Sequence, residues 1–381
     1  MASRVRSTAT WGAVLLVAAL VPLLGPAAPT QAADGCTSEV APPPSIPPDF
    51  GCDDTTPPDT EITGMSPTPN AAGWTRRNEM AFTFHEVVVD GDTGPWSFMC
   101  KLTGPGQDAG FQPCTSGQKY TALADASATP YVFSVYAVDT SDSGITYAGN
   151  PLITTDDEDP AKPDDDSASP ATATWKQDTV VPNAFIFGGP SDGSGSPVTT
   201  QPQVTYAIDA SEGGVTYRCQ LDGRDVPCDR GDITLRNLTG GNRVFAVKVT
   251  DAAGNEDTSA ATEQFTVPYD LRSAKGWKRV DLKGAFADQV LQTTTKGARI
   301  RFKAHNVREV RFLAPAGTGL GKLRVQLGDG AWHTYNLAKG KTTASRSYRV
   351  PNSTLFSGTV TVEALSAGKP VRIDALVFPP G

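Results

Sequence analysis

The strongest constraint on the fold is a pattern that occurs twice between residues 59 and 269. In the first copy, Trp96-Ser97-Phe98-Met99-Cys100-Lys101-Leu102 is followed by Pro113-Cys114 and Tyr120-Thr121-Ala122-Leu123. It ends in Tyr131-Val132-Phe133-Ser134-Val135-Tyr136-Ala137-Val138-Asp139. In the second, Val215-Thr216-Tyr217-Arg218-Cys219-Gln220-Leu221 leads to Pro227-Cys228 and an apolar run from Ile233 to Leu238. Arg243-Val244-Phe245-Ala246-Val247-Lys248-Val249-Thr250-Asp251 closes it. Cys100 to Cys219, Cys114 to Cys228 and Phe133 to Phe245 are offset by 119, 114 and 112 residues, so the strands recur and only loop lengths drift. Self-similarity of this kind marks an array of like modules.

Each copy predicts strands. Val244, Ala246 and Lys248 alternate with Phe245, Val247 and Val249, the period of a half-buried strand. Pro182, Gly188-Gly189-Pro190 and Gly254-Asn255 punctuate the runs as turns. A chain with 37 Gly and 31 Pro among 381 residues is a poor candidate for helices. The order aromatic-x-Cys-x-Leu, Pro-Cys, Val-Phe-x-Val and Ala253-Gly254-Asn255 resembles bacterial Ig-like repeats of secreted actinobacterial proteins. That resemblance implies a stalk or spacer role. The first copy departs from it: Asp139-Thr140-Ser141-Asp142-Ser143-Gly144 replaces the turn Asp251-Ala252-Ala253-Gly254-Asn255. It also carries an acidic insert, Asp156 to Asp166, which reads as a solvated, self-repelling loop ahead of a calcium site. Asp90-Gly91-Asp92-Thr93-Gly94 is likewise a turn first.

Residues 1–32 read as a secretory signal. Arg4 and Arg6 precede an uncharged, mostly apolar stretch from Trp11 to Leu24, and Thr30-Gln31-Ala32 offers a cleavage site. Lipidation at Cys36 is the lesser alternative, since Asp34 fits that signal badly. No later stretch is long and apolar enough for a membrane span. In an exported chain, Cys36, Cys52, Cys100, Cys114, Cys219 and Cys228 are expected in disulfides rather than metal sites. Chain order favours the pairs Cys36–Cys52, Cys100–Cys114 and Cys219–Cys228. The last two loops are too short to tie two sheets together and should clip local hairpins.

The formal net charge of -8 hides an asymmetry. Residues 33–180 hold 6 basic and 23 acidic side chains, residues 181–270 hold 6 and 12, and residues 271–381 hold 19 and 6. Such a split is a hint about partners. In the basic part, Ile300 and Phe302 alternate with Arg299, Arg301 and Lys303, and Val310 and Phe312 flank Arg311. Leu323, Val325 and Leu327 interleave with Lys322 and Arg324, and Val371 and Ile373 flank Arg372. Alternation places the apolar set inside and the cations outside. Turns are expected at Gly317–Gly321, Gly328-Asp329-Gly330 and Gly358. Lys296-Gly297-Ala298-Arg299, Gly321-Lys322-Leu323-Arg324-Val325 and Val371-Arg372-Ile373-Asp374-Ala375 resemble parts of jelly-roll carbohydrate-binding modules. The resemblance implies glycan binding. Trp332 is out of phase with core positions Tyr335 and Leu337, which makes it a candidate stacking platform for sugar rings.

Catalytic motifs do not hold together. Gly189-Pro190-Ser191-Asp192-Gly193 has the spacing of a nucleophile elbow but lacks a following helix. Gly317-Thr318-Gly319-Leu320-Gly321-Lys322 lacks the first glycine and the hydroxyl of a phosphate loop. His85, His305 and His333 have no metal spacing. The expected architecture is all-β: two tandem Ig-like β-sandwiches followed by a jelly-roll-like β-sandwich. Its expected segments are a signal (1–32), a proline-rich segment (33–58), Ig-like domains at 59–178 and 179–269, and a basic sandwich at 270–381. The expected function is a secreted, non-enzymatic spacer and attachment protein without cofactor or metal. Its partner would be an anionic glycan or cell-wall polymer, with nucleic acid a lesser choice. Candidate contacts are Trp332, Arg299, Arg301, Lys303, Arg311, Lys322, Arg324 and Arg372. A polysaccharide lyase or hydrolase and a ligand-free matrix component are the alternatives.

Overall fold

The computed structural model describes residues 59–87, 96–139, 169–191, 197–352 and 354–379. Outside them lie the expected signal, the proline-rich segment, the Cys36–Cys52 pair, the Asp90–Gly94 turn, the acidic insert and Asp192–Ser196 of the elbow-like stretch. By contacts the chain falls into two compact units. The first comprises Met1–Thr60, Glu86–Phe98 and Tyr136–Ser169. Within it, the Ala137 amide donates to Thr60 Oγ1 at 2.8 Å. The second comprises Glu61–His85, Met99–Val135 and Pro170–Gly381.

The regular structure of the described residues is strand, and the only helical element among them is a single 3-10 turn, Phe286–Asp288. The two copies of the sequence pattern have one topology. In the first, the strands Asp59–Ser66, Met80–Val87 and Gln118–Tyr120 form a three-stranded sheet in that order. In the second, Ala184–Gly188, Val204–Ala210 and Gly231–Leu235 do the same. The opposing sheet of the second copy runs Arg224–Val226, Thr216–Leu221, Gly241–Thr250, Ala261–Val267. Its counterpart in the first has Trp96–Gly104, Tyr131–Asp139 and Ala171–Gln177 in matching order.

Each pair of sheets closes over an aromatic trio. Phe82 stacks on Phe133 with ring centroids 3.8 Å apart, and Trp175 packs at 5.4 Å. Tyr206 stacks on Phe245 at 5.2 Å, with Phe265 at 6.0 Å. Phe133 and Phe245 are the repeat positions of the sequence pattern; Trp175 and Phe265 are equivalent partners that the pattern did not include. All six rings are fully buried. Burial of apolar surface stabilises by about 25 cal/mol per Å², and aromatic rings bury more of it than most side chains.

The disulfides Cys100–Cys114 and Cys219–Cys228 are both formed. Each joins a strand to the hairpin return beside it, so neither crosses the core.

The C-terminal strands form a third sandwich. One layer holds the strands Tyr269–Asp270, Ala375–Val377, Val310–Ala316 and Thr343–Val350, and the shorter sheet Lys278–Asp281, Gln289–Thr293, Val371–Ile373. The other is Arg299–Val307, Phe356–Ala364, Lys322–Leu327, His333–Asn336. Ile300, Leu323, Val325 and Val362 of this layer meet Phe312, Val350, Ile373 and Leu376 in one core. Two features differ from expectation. Gly358 does not separate strands: it lies inside Phe356–Ala364 opposite Ala304, where the partner strand loses register before Val307. A glycine within a strand accommodates such a bulge. Nor is this sandwich insulated from its predecessor. Phe286, Leu313, Ala375 and Val377 belong to the core cluster that holds Tyr206, Phe245 and Phe265. Val310–Ala316 is therefore buried on both faces, with Phe312 on one side and Leu313 on the other.

Candidate functional site

The outward face of the Arg299–Val307 layer gathers five of the cations singled out in the sequence. Strand alternation turns Arg299, Arg301 and Lys303 outward from one strand and Lys322 and Arg324 from another. Phe356–Ala364 lies between those two strands and pairs with both. Arg299 and Arg324 thus sit opposite the same residue, Glu363, from its two sides.

Glu363 is 6% exposed. Arg299 Nε donates to its Oε2 at 2.6 Å and Arg324 donates to its Oε1 at 2.8 Å. A buried carboxylate is tolerated when its lone pairs are met this way, and the pair fixes both guanidinium planes on the sheet. Arg301, Lys303 and Lys322 are exposed and form no ion pair among the described residues.

Trp332 belongs to this face but is not a bare platform. It is half-buried, with the Arg324 guanidinium 4.1 Å from its ring centroid and that of Arg299 at 6.0 Å. Stacking on a ring face suits an arginine, so Trp332 helps to orient the cation. The remaining two candidates lie elsewhere. Arg311 is in the other layer and donates to Glu309 at 2.9 and 3.2 Å. Arg372 is in the short sheet, where its Nε donates to Gln292 Oε1 at 2.7 Å.

Sequence reasoning missed Glu363, although it is the one acid in a strand of Thr and Val. It also missed three carboxylates that converge from distant stretches. Oxygens of Asp178, Glu212 and Asp251 all lie within 4.8 Å of one another. Asn255 fastens the group: its backbone N–H donates to Asp251 Oδ1 at 2.8 Å, and Nδ2 donates to Asp251 Oδ2 at 2.7 Å and the Asp178 carbonyl at 2.9 Å. Burial, then repulsion from Asp251 and Asp125, raises the Asp178 carboxyl above its ordinary range. Burial and the charges of Asp178 and Asp251 do the same for Glu212. The sequence reading assigned no metal to these positions, and their separation in the chain leaves no local spacing to find.

No family model matches the sequence, and no curated protein matches it. Among solved structures, the chain is similar to the fibronectin(III)-like modules of Clostridium thermocellum CbhA. Identity there is 12%, coverage 55% of this chain and 93% of that one, and TM-score 0.28. A second likeness is to carbohydrate-binding modules of the β-sandwich superfamily, at 14% identity, 53% and 98% coverage and TM-score 0.24. A third is to a bacterial ice-binding adhesin studied for host cell surface retention, at 11% identity, 82% and 99% coverage and TM-score 0.26. At these scores the functional reading rests on the site itself.

Proposed function

We propose that this chain is a secreted, non-catalytic spacer and attachment protein whose basic sheet face holds an anionic glycan or cell-wall polymer. The observation that carries the reading is the convergence of Arg299, Arg301, Lys303, Lys322 and Arg324 on one sheet face, with the acid Glu363 between them. A face of one sign attracts a polyanion from a distance and holds it in a salt-sensitive way. Fixed guanidinium forks add geometric preference for carboxylate or phosphate groups. Two disulfide-clipped sandwiches ahead of it suit an extracellular spacer, and the sequence resemblance to Ig-like repeats of secreted actinobacterial proteins supports the same role.

The test is retention of the full chain on an immobilised carboxylated polysaccharide. Binding at low salt and release as salt rises are expected, with the double variant Arg301→Ala/Lys303→Ala released earlier. Passage through the column at low salt overturns the reading. Equal retention on a duplex DNA column would make the face a general polyanion surface. Release of new sugar ends from glycans on incubation with the protein would favour the enzymatic alternative.

A further inference from the structure

The strand that carries Arg299, Arg301 and Lys303 does not end flat. Its register breaks between Ala304 and Val307, leaving His305 and Asn306 exposed, and Asn306 takes the left-handed conformation at φ 50°. Ser357 pins this bulge: the Asn306 amide donates to its Oγ at 2.9 Å, and Oγ donates back to Asn306 Oδ1 at 3.1 Å. Bulges re-aim side chains at the rims of sites. This one borders a recess of about 230 Å³.

The floor of the recess is aromatic. Tyr269, Phe302 and Phe378 pack with ring centroids 5.0, 5.3 and 5.6 Å apart, and Tyr269 and Phe302 remain partly exposed. Tyr269 lies close on Gly240, where a Cβ would come within 2.6 Å of its backbone and ring. Asn242, two residues on, closes the opposite rim. Its Oδ1 accepts from the buried Thr266 hydroxyl at 2.8 Å, which leaves its NH₂ group to donate outward.

We propose that this recess binds one acidic sugar ring of the polymer held by the basic face. A sugar ring presents an apolar C–H face and a rim of hydroxyls, which the aromatic floor and the amides of Asn242 and Asn306 match. The volume falls below the roughly 300 Å³ at which drug-sized pockets begin, so it suits a single ring. Lys303 lines the recess from the edge of the sheet, whose outer face carries Arg299 and Arg301 while Phe302 turns to the inner one, and it selects a ring that carries an acid group. The inference rests on the glycan reading, and the experiment separates them.

The ¹⁵N-labelled full chain is titrated with a monomeric hexuronate, with the corresponding neutral methyl hexoside, and with polymeric hexuronate, each at low and high salt. The monomer is expected to shift the amides of Asn242, His305 and Asn306, with weaker shifts from the neutral sugar. The variant Asn242→Ala/Asn306→Gly keeps the backbone geometry, because glycine accepts the left-handed conformation. It should weaken the monomer by about tenfold, the loss of one or two hydrogen bonds. Polymer binding with no monomer shift at these three amides overturns the recess and leaves the face standing. Monomer shifts without polymer binding sustain the recess as a monosaccharide site and overturn the face. No response to any sugar overturns both.

Discussion

Asp374 joins two strands that belong to different sheets, Val371–Ile373 and Ala375–Val377, and the residue is 1% exposed. Oδ2 accepts from the Phe286 amide at 2.9 Å and from Ser345 Oγ at 3.2 Å, while Oδ1 has no partner among the described residues. Burial pushes its pKa up to about 7, assisted by the charge of Asp270 and opposed by the two hydrogen bonds. Asp270 is itself met by Arg272 and Arg279. In the unfolded chain an aspartate titrates near 3.9. Between those values the fold keeps its proton while the unfolded chain releases one, so stability falls as pH rises from about 4 to about 7 and levels off above that. The contribution lost is on the order of 4 kcal/mol. Asp374→Asn keeps an acceptor for the Phe286 amide and removes the titration. Urea unfolding of both proteins across this range should show the variant gaining on the parent as pH rises. A constant difference would refute the assignment. Nothing in the sequence marks the burial of this side chain, because it is set by contacts with Phe286 and Ser345, distant in the chain.

At the scale of elements, the strands were legible and the bulges were not. Alternation identified Gly241–Thr250 and Lys322–Leu327 because Phe245, Val247 and Val249 in one and Leu323, Val325 and Leu327 in the other recur at every second position, and a register of two is hard to mistake when half of it is buried. The recess-forming break after Ala304 escaped because it depends on how Gly358 and Ser357 meet it from the neighbouring strand. The basic face was half legible: alternation gave the outward cations, but which strands lie side by side decided that Arg311 and Arg372 fall on other sheets. Glu363 and the orientation of Trp332 followed from the same pairing. The hairpin clip between Cys219 and Cys228 was legible from chain order alone. Closing so short a loop restricts the unfolded chain by about 2.5 kcal/mol in the entropy model. Cys219→Ser/Cys228→Ser should lower unfolding stability by that amount in denaturant titration. Full reduction of the parent also opens Cys100–Cys114 and should cost more than this variant does.

For the whole molecule, the cluster that unites Tyr206, Phe245 and Phe265 with Phe286, Leu313, Ala375 and Val377 makes the second and third sandwiches energetic partners. Sequence patterns separated them, since a turn of charge and composition near residue 270 says nothing of packing behind it. Phe286 is 2% exposed, and Phe286→Ala should cost about 3 to 5 kcal/mol. Calorimetry should record that loss as a shift of one transition covering residues of both sandwiches. Two separate transitions, only one of them moved, would contradict the shared core. The two disulfides acquire another meaning when the protein is pulled by its ends. They close sequence separations of 14 and 9 residues, each between a strand and the hairpin return beside it. Under tension they withhold roughly 80 Å of extension, at about 3.5 Å per residue, while leaving the rest of each module free to pay out. A chain built this way lengthens less in an oxidising medium than in a reducing one, and its reach is set by redox state as well as by force.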